Sequence, residues 1–368
     1  MEKERRLIVV AVAAVVIAAV ATVFFAPSQT TIPIPEPRKN NGNNTSSAIQ
    51  VLADNLEVPW AVDVAEDGRV FFTERAGRIR IIENGALLEP AFIKVEQNGE
   101  SGLLGLALHP NFTENHLLYI YQTYSNGSSV FNKVMMLTEK DNKFIESKVI
   151  IDGIPAAAGN DGGRIKFGPD GKLYIATGDA RRPELAQNGG SLAGKILRLN
   201  PDGSIPEDNP FEGSPVYSYG HRNIQGLAWD PATGQMYASE HGEEGYDEIN
   251  LIKAGANYGW PIEKHCEGKQ FEKPVVCFQE AIAPAGITIA KSDRLGYKGD
   301  IILAALRGMQ LRLVELPSDS ETNILTGYGR IRDVVEAPDG TLYVTTSNRD
   351  GRAIPEQGDD KILRIIQP

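Results

Sequence analysis

"PDGKLYIATGDA", residues 169–180, opens on an Asp-Gly turn, runs through a short β-branched and aromatic stretch, and ends in a polar loop. The same plan returns in "EDGRVFFTERAGRIRII" (66–82), "PATGQMYASEHG" (231–242) and "PDGTLYVTTSNRDGR" (338–352). It recurs more loosely in "NFTENHLLYIYQTY" (111–124) and "YKGDIILAALRGMQLRLVEL" (297–316). Alternation of Leu342 and Val344 with Tyr343 and Thr345 is strand patterning of period two, and the Gly-bearing turns are hairpin chemistry. After residue 48 no segment carries a capped apolar stripe of helical period. Six copies over residues 49–368 give roughly 53 residues each, the spacing of propeller blades built from several short strands. A two-domain β-sandwich is the competing all-β arrangement, and it does not account for so regular a repeat. The predicted fold is all-β, a six-bladed β-propeller. Loops that follow equivalent strands share one face of a propeller. The polar stretches after "FFTE", "TGDA", "SEHG" and "TSNRDGR" are therefore expected around one channel mouth.

The start of the chain is a separate matter. "MEKERR" is basic, and the nineteen residues Leu7–Phe25 carry no charge. At helical rise they span roughly 28 Å, close to a bilayer core. Residues 1–26 are read as a signal anchor or a signal peptide, with the basic flank cytoplasmic. The rest of the chain is then extracytoplasmic, membrane-anchored or, after cleavage, secreted. Residues 27–48, rich in Pro, Asn, Ser and Thr, form a flexible linker to the domain at 49–368. Asn43, Asn44, Asn111 and Asn126 each begin an Asn-x-Ser/Thr sequon. Outside the cytosol, Cys266 and Cys277 are expected to form a disulfide rather than remain thiols.

A formal net charge of −11 argues against a nucleic-acid partner. It also makes any local gathering of arginines informative. Arg330 and Arg332 flank Ile331 and project from one face, Arg222 is followed by Asn223, and Arg307 closes "AALRG". Guanidinium forks match carboxylates, and several aimed into one channel repel one another without an anion. Pairing with Asp63 or Asp333 between blades is the ordinary alternative. In "YASEHGEEGYDEINLIKAGANYGWP" (237–261), Glu240, Glu243, Glu244, Asp247 and Glu248 crowd a glycine-bearing loop. Hard divalent cations, calcium above all, take several oxygens, including carbonyls from such turns. A solvated acidic loop is the alternative there.

These residues resemble the pyrroloquinoline-quinone (PQQ)-dependent sugar dehydrogenases, soluble glucose dehydrogenase and, more closely, the aldose sugar dehydrogenases. The match covers nearly all of residues 50–366, and its carriers are "VPWAVDV", "GESGLLGLALHPNF", "GGRIKFGPDGKLYIATGD", "GKILRLNPDGSIPEDNPF", "GHRNIQGLAWDP", "SEHGEEGYDEINLIKAGANYGWP", "GRIRDVVEAPDGTLYVTTSNRDGR" and "DDKILRI". The resemblance implies a propeller holding PQQ, a tricarboxylate, over the channel, with calcium bound to the quinone. It places the calcium-binding carbonyls at Gly242 and Glu243. The PQQ contacts fall on Glu100 (a glutamine in the glucose branch), Arg222, Asn223, Arg307, Arg330 and Arg332. A second, structural calcium would use Glu248 and the carbonyl of Tyr258. The implied reaction is oxidation of the anomeric hydroxyl of an aldose sugar to a lactone, with electrons passed to an external acceptor.

One position departs from the family. Relatives supply the base as a histidine four residues before the Arg of "GGR", and here that residue is Asn160. A neutral amide can orient a hydroxyl but cannot accept its proton. Asp161, one residue on, and Glu100 are the carboxylates that could substitute, and desolvation would raise either toward usefulness. Asp161 could equally be a turn-capping residue. A propeller that binds PQQ or a sugar without turnover is thus a second reading. A lactonase-like propeller hydrolase, which needs acidic metal ligands converging on the channel, is a third.

Overall fold

The computed structural model describes residues 48–316 and 320–367. The segments read as a signal anchor or peptide (1–26) and as most of the linker (27–47) lie outside these residues. Six antiparallel sheets follow one another along the chain. Their innermost strands are Pro59–Val64, Leu103–Leu108, Gly162–Phe167, Ile224–Trp229, Pro284–Ile289 and Ile331–Glu336. Each packs against the innermost strands of the two neighbouring blades, so the ring closes around a hub. Among the described residues the only helices are a four-residue turn, Phe112–Asn115, and a 3-10 turn, Pro183–Gln187.

The sequence repeat maps one copy to each blade. Its β-rich part is the second strand every time: Val70–Glu74, Leu117–Ser125, Leu173–Thr177, Met236–Glu240, Ile301–Ala305 and Leu342–Thr346. Ring closure comes from the first described strand. Ile49–Ala53 pairs with Ile362–Ile365 and completes the sixth blade from the opposite end of the sequence. An edge that would otherwise lie open is thereby sealed.

Strand alternation has a reason particular to this architecture. Leu342 and Val344 pack into the seam between the fifth and sixth blades, while Tyr343 packs into the seam between the sixth and first. Both faces are buried, and period two distributes side chains between two seams rather than between core and water. Near the hub the strands converge so closely that only glycine fits. A Cβ on Gly226 would strike the carbonyl of Ala285, and one on Gly286 would strike Asp333.

Candidate active site

The loops that leave the second strands do meet at one channel mouth. Arg75, Asp179, His241, Arg307 and Asp350, from five different blades, line two adjoining cavities there. The inner one, about 180 Å³, lies against Trp60, Arg75, Asp161, Gln225, Arg332 and Asp350. The outer one, about 680 Å³, is walled by Asn160, Asp179, Arg181, Arg222, Asn223 and Arg307. Glu100, His241, Arg330 and Arg352 border both.

The floor is ionic. Arg164, the Arg of "GGR", stacks 4.6 Å from the Trp60 ring and donates through Nη1 to Asp333 Oδ2 at 2.7 Å. Asp333 is therefore taken by Arg164 and not by the arginines proposed to bind an anion. Those find a different partner. Arg330 Nε and Arg332 Nη2 both reach Asp350 Oδ2, at 2.9 and 3.3 Å. One buried carboxylate thus serves two buried guanidiniums. Burial, with Arg75 and Arg330 close by, lowers the Arg332 guanidinium to about 10. Arg75 is likewise lowered by burial, and its Nε is buried without a hydrogen-bond partner.

Arg222 and Arg307 line the outer cavity with no carboxylate bonded to either guanidinium among the described residues. Arg222 Nη1 donates only to the carbonyl of His241, at 3.2 Å, and its guanidinium lies 5.5 Å from the Trp260 ring. Asn223 faces inward as a positioning group. Its Oδ1 accepts from Gly162 N at 3.0 Å, and its Nδ2 lies 3.5 Å from His241 Nδ1. His241 Nε2 is buried and unpartnered.

Asn160 adopts a left-handed backbone, φ 59°, which asparagine tolerates better than most residues. Its Nδ2 donates to Asp179 Oδ1 at 3.0 Å, and Asp179 also accepts from Arg181 N and Trp260 Nε1. Asp161 has a structural appointment. Its Oδ1 accepts from Ala157 N at 2.8 Å and its Oδ2 from Ser101 Oγ at 2.7 Å. Burial raises it to about 6. Glu100 sits at the junction of the cavities, with Oε2 accepting from Asn160 N at 3.2 Å and Oε1 paired with Arg352.

The acidic loop is built as a tight turn. Gly242 N donates to Asp247 Oδ1 at 2.9 Å, while Asp247 Oδ2 accepts from Ile282 N and Ala283 N. Glu244, Gly245 and Tyr246 take positive φ, which folds the turn so that it borders the outer cavity. Glu243 pairs with Lys264, two residues before the Cys266–Cys277 disulfide, which is formed as expected. Beneath lies a cavity of about 30 Å³ bordered by Glu240, Glu248 and Tyr258. Burial, with Glu240 beside it, pushes the Glu248 carboxyl up to about 8. A buried and a half-buried carboxylate facing an ion-sized space are what a hard cation would neutralise. Among the described residues no three His, Cys, Asp or Glu side chains gather as a metal cluster, which is the feature a propeller hydrolase would need.

Arg75, Asp350 and Arg352 are not picked out in the sequence reading. The signal for Arg75 is the repeat itself: it and His241 are both the first residue after the second strand of their blades.

A closed six-bladed propeller with a guanidinium-rich, two-chambered mouth defines a site suited to a small anionic molecule. The sequence pattern of the Glucose / Sorbosone dehydrogenase family matches residues 56–356, and the chain belongs to that family. The aldose sugar dehydrogenase of Escherichia coli is 31% identical over 339 residues, covering 83% of this chain and 91% of its own. Quinoprotein glucose dehydrogenase B of Acinetobacter calcoaceticus is 38% identical over 248 residues, covering 58% and 52%. Among solved structures, the PQQ-bound aldose sugar dehydrogenase of Streptomyces coelicolor superposes with a TM-score of 0.78 at 37% identity. It covers 86% of this chain and 97% of the other. A glucose dehydrogenase-like oxidoreductase of Thermus thermophilus reaches 0.80 at 42% identity, covering 86% and 98%.

Proposed function

We propose that this protein is a PQQ- and calcium-dependent dehydrogenase that oxidises the anomeric hydroxyl of aldose sugars to lactones and passes the electrons to an external acceptor. The observation that carries the reading is the excess of buried or cavity-lining guanidinium at the mouth. Arg330 and Arg332 share one buried carboxylate, while Arg75, Arg222 and Arg307 have none bonded to them among the described residues. A small ligand bearing several carboxylates satisfies all of them, and PQQ is such a ligand. The unpartnered Arg75 Nε and His241 Nε2 are further unmet donor or acceptor positions in the same space.

Arg222, Arg307, Arg330 and Arg332 would bind the carboxylates, with Asn223 and Glu100 bordering the ring system. The carbonyls of Gly242 and Glu243 would hold calcium, and Glu248 with the Tyr258 carbonyl a second ion. Bound PQQ supplies a two-electron, hydride-accepting centre. Asn160, fixed by Asp179, orients the sugar hydroxyl. An N-terminal anchor or signal places the domain outside the membrane, where the disulfide is stable.

A second reading, a propeller that binds PQQ or sugar without turnover, is favoured by one observation: an amide stands at the position of the family base. One experiment tests both. PQQ and calcium are titrated into the cofactor-free protein, followed by absorbance, and dye reduction is then assayed with glucose, xylose and disaccharides. Uptake with reduction is expected. Uptake without reduction would select the second reading, and no uptake would remove both.

A further inference from the structure

We propose that Glu100 is the general base of this protein, the group that takes the proton of the anomeric hydroxyl. The inference rests on the dehydrogenase reading above. Asn160 cannot fill that role, and Asp179 behind it is held by three donors. Asp161 is 2% exposed, with one oxygen bonded to a backbone amide and the other to a hydroxyl, so it braces the loop. Glu100 also has a donor on each oxygen, but it differs in exposure and in place. Its side chain is 28% exposed, and it borders both chambers.

Its placement is enforced by the backbone. Gly99 takes φ 63° against Ala158, where a Cβ would strike the Ala158 carbonyl, and Glu100 N donates to that same carbonyl at 3.2 Å. The carboxylate thus lies against residue 160, held by the Asn160 N–H. Arg352, 59% exposed at the rim, holds the other oxygen. An ionised carboxylate offers about four acceptor positions, and two are used. The remaining lone pairs are free to accept a hydroxyl proton beside the amide that orients it.

In the step, the O–H bond breaks and its proton passes to a Glu100 oxygen. The electron pair left on oxygen closes the lactone C=O as the C1 hydrogen departs as hydride to the bound two-electron acceptor. Glu100→Gln keeps the shape and removes the basicity. We expect turnover to fall by on the order of 10²–10⁴-fold. PQQ uptake by absorbance titration should be at least as tight as in the wild type, because a negative charge beside an anionic ligand is gone. In Glu100→Ala, added formate should restore turnover in proportion to its concentration, a response that a purely structural residue would not give. A Glu100→Gln enzyme that turns over normally, or a loss confined to Asp161→Asn or His241→Gln, overturns the assignment. Failure of the wild-type protein to take up PQQ would instead sink the dehydrogenase reading beneath it.

Discussion

Asp350→Asn tests the charge balance on which the site rests. Asp350 is 2% exposed in its side chain and accepts from Arg330 Nε at 2.9 Å and Arg332 Nη2 at 3.3 Å, both guanidiniums being nearly buried. Removing one member of a buried ion pair strands its partner and costs on the order of 3–5 kcal/mol. Here two guanidiniums are stranded, but the amide oxygen of asparagine still accepts one bond, so a loss of about 3 kcal/mol is expected. In a domain this large that corresponds to a fall in Tm of on the order of 4–5 °C. The mouth also gains one net positive charge, so the variant should favour a polyanion more than the wild type does. PQQ at about 100 times its Kd adds roughly 2.7 kcal/mol to any protein that binds it only when folded. At equal PQQ, the Tm rise should therefore be larger in the variant. The assay is a thermal melt of both proteins with calcium, with and without PQQ. An unchanged apo Tm would show that Asp350 does not neutralise the pair. A smaller PQQ-induced rise in the variant would show that these arginines do not bind the ligand.

Three further outcomes are expected. Arg222→Ala should leave Tm nearly unchanged, within about 0.5 kcal/mol, because no carboxylate loses a partner. It should weaken PQQ binding by on the order of 10-fold or more, measured by the same titration. Asp161 is raised by burial to about 6, so between about pH 4 and 6 the folded state holds a proton that the unfolded chain has released. Stability should fall as pH rises through that window, and urea melts of Asp161→Asn should lose this slope. Replacing Cys266 and Cys277 by serine opens an eleven-residue separation and should cost about 3 kcal/mol in denaturant melts. It should also weaken calcium-dependent PQQ uptake, because the bond anchors the segment just after Lys264, which braces Glu243.

Much of the fold was legible because a propeller writes its unit into the sequence six times. Each copy of the turn–strand–loop repeat became the second strand of a blade, and its loop went to the shared mouth. Arg222 and Arg332 were singled out for a different reason, as cations gathered in an acidic chain, and both line the mouth. The ring-closing partner of Ile49–Ala53 was not, since pairing with Ile362–Ile365 is a contact across the whole chain. Neither was Asp350, which only a fold can set between Arg330 and Arg332.

The sequence by itself determined the blade count, the all-β character, the face on which polar loops gather and the absence of the family histidine at Asn160. These follow from local periodicity and residue identity. Tertiary structure alone decided which ionisable groups were already satisfied. It set Asp333 on Arg164, fixed Asp161 to Ala157 and Ser101, and left Glu100 open to the cavity. Burial and partner distance set the cost and the use of a charge, and both depend on blades far apart in the chain.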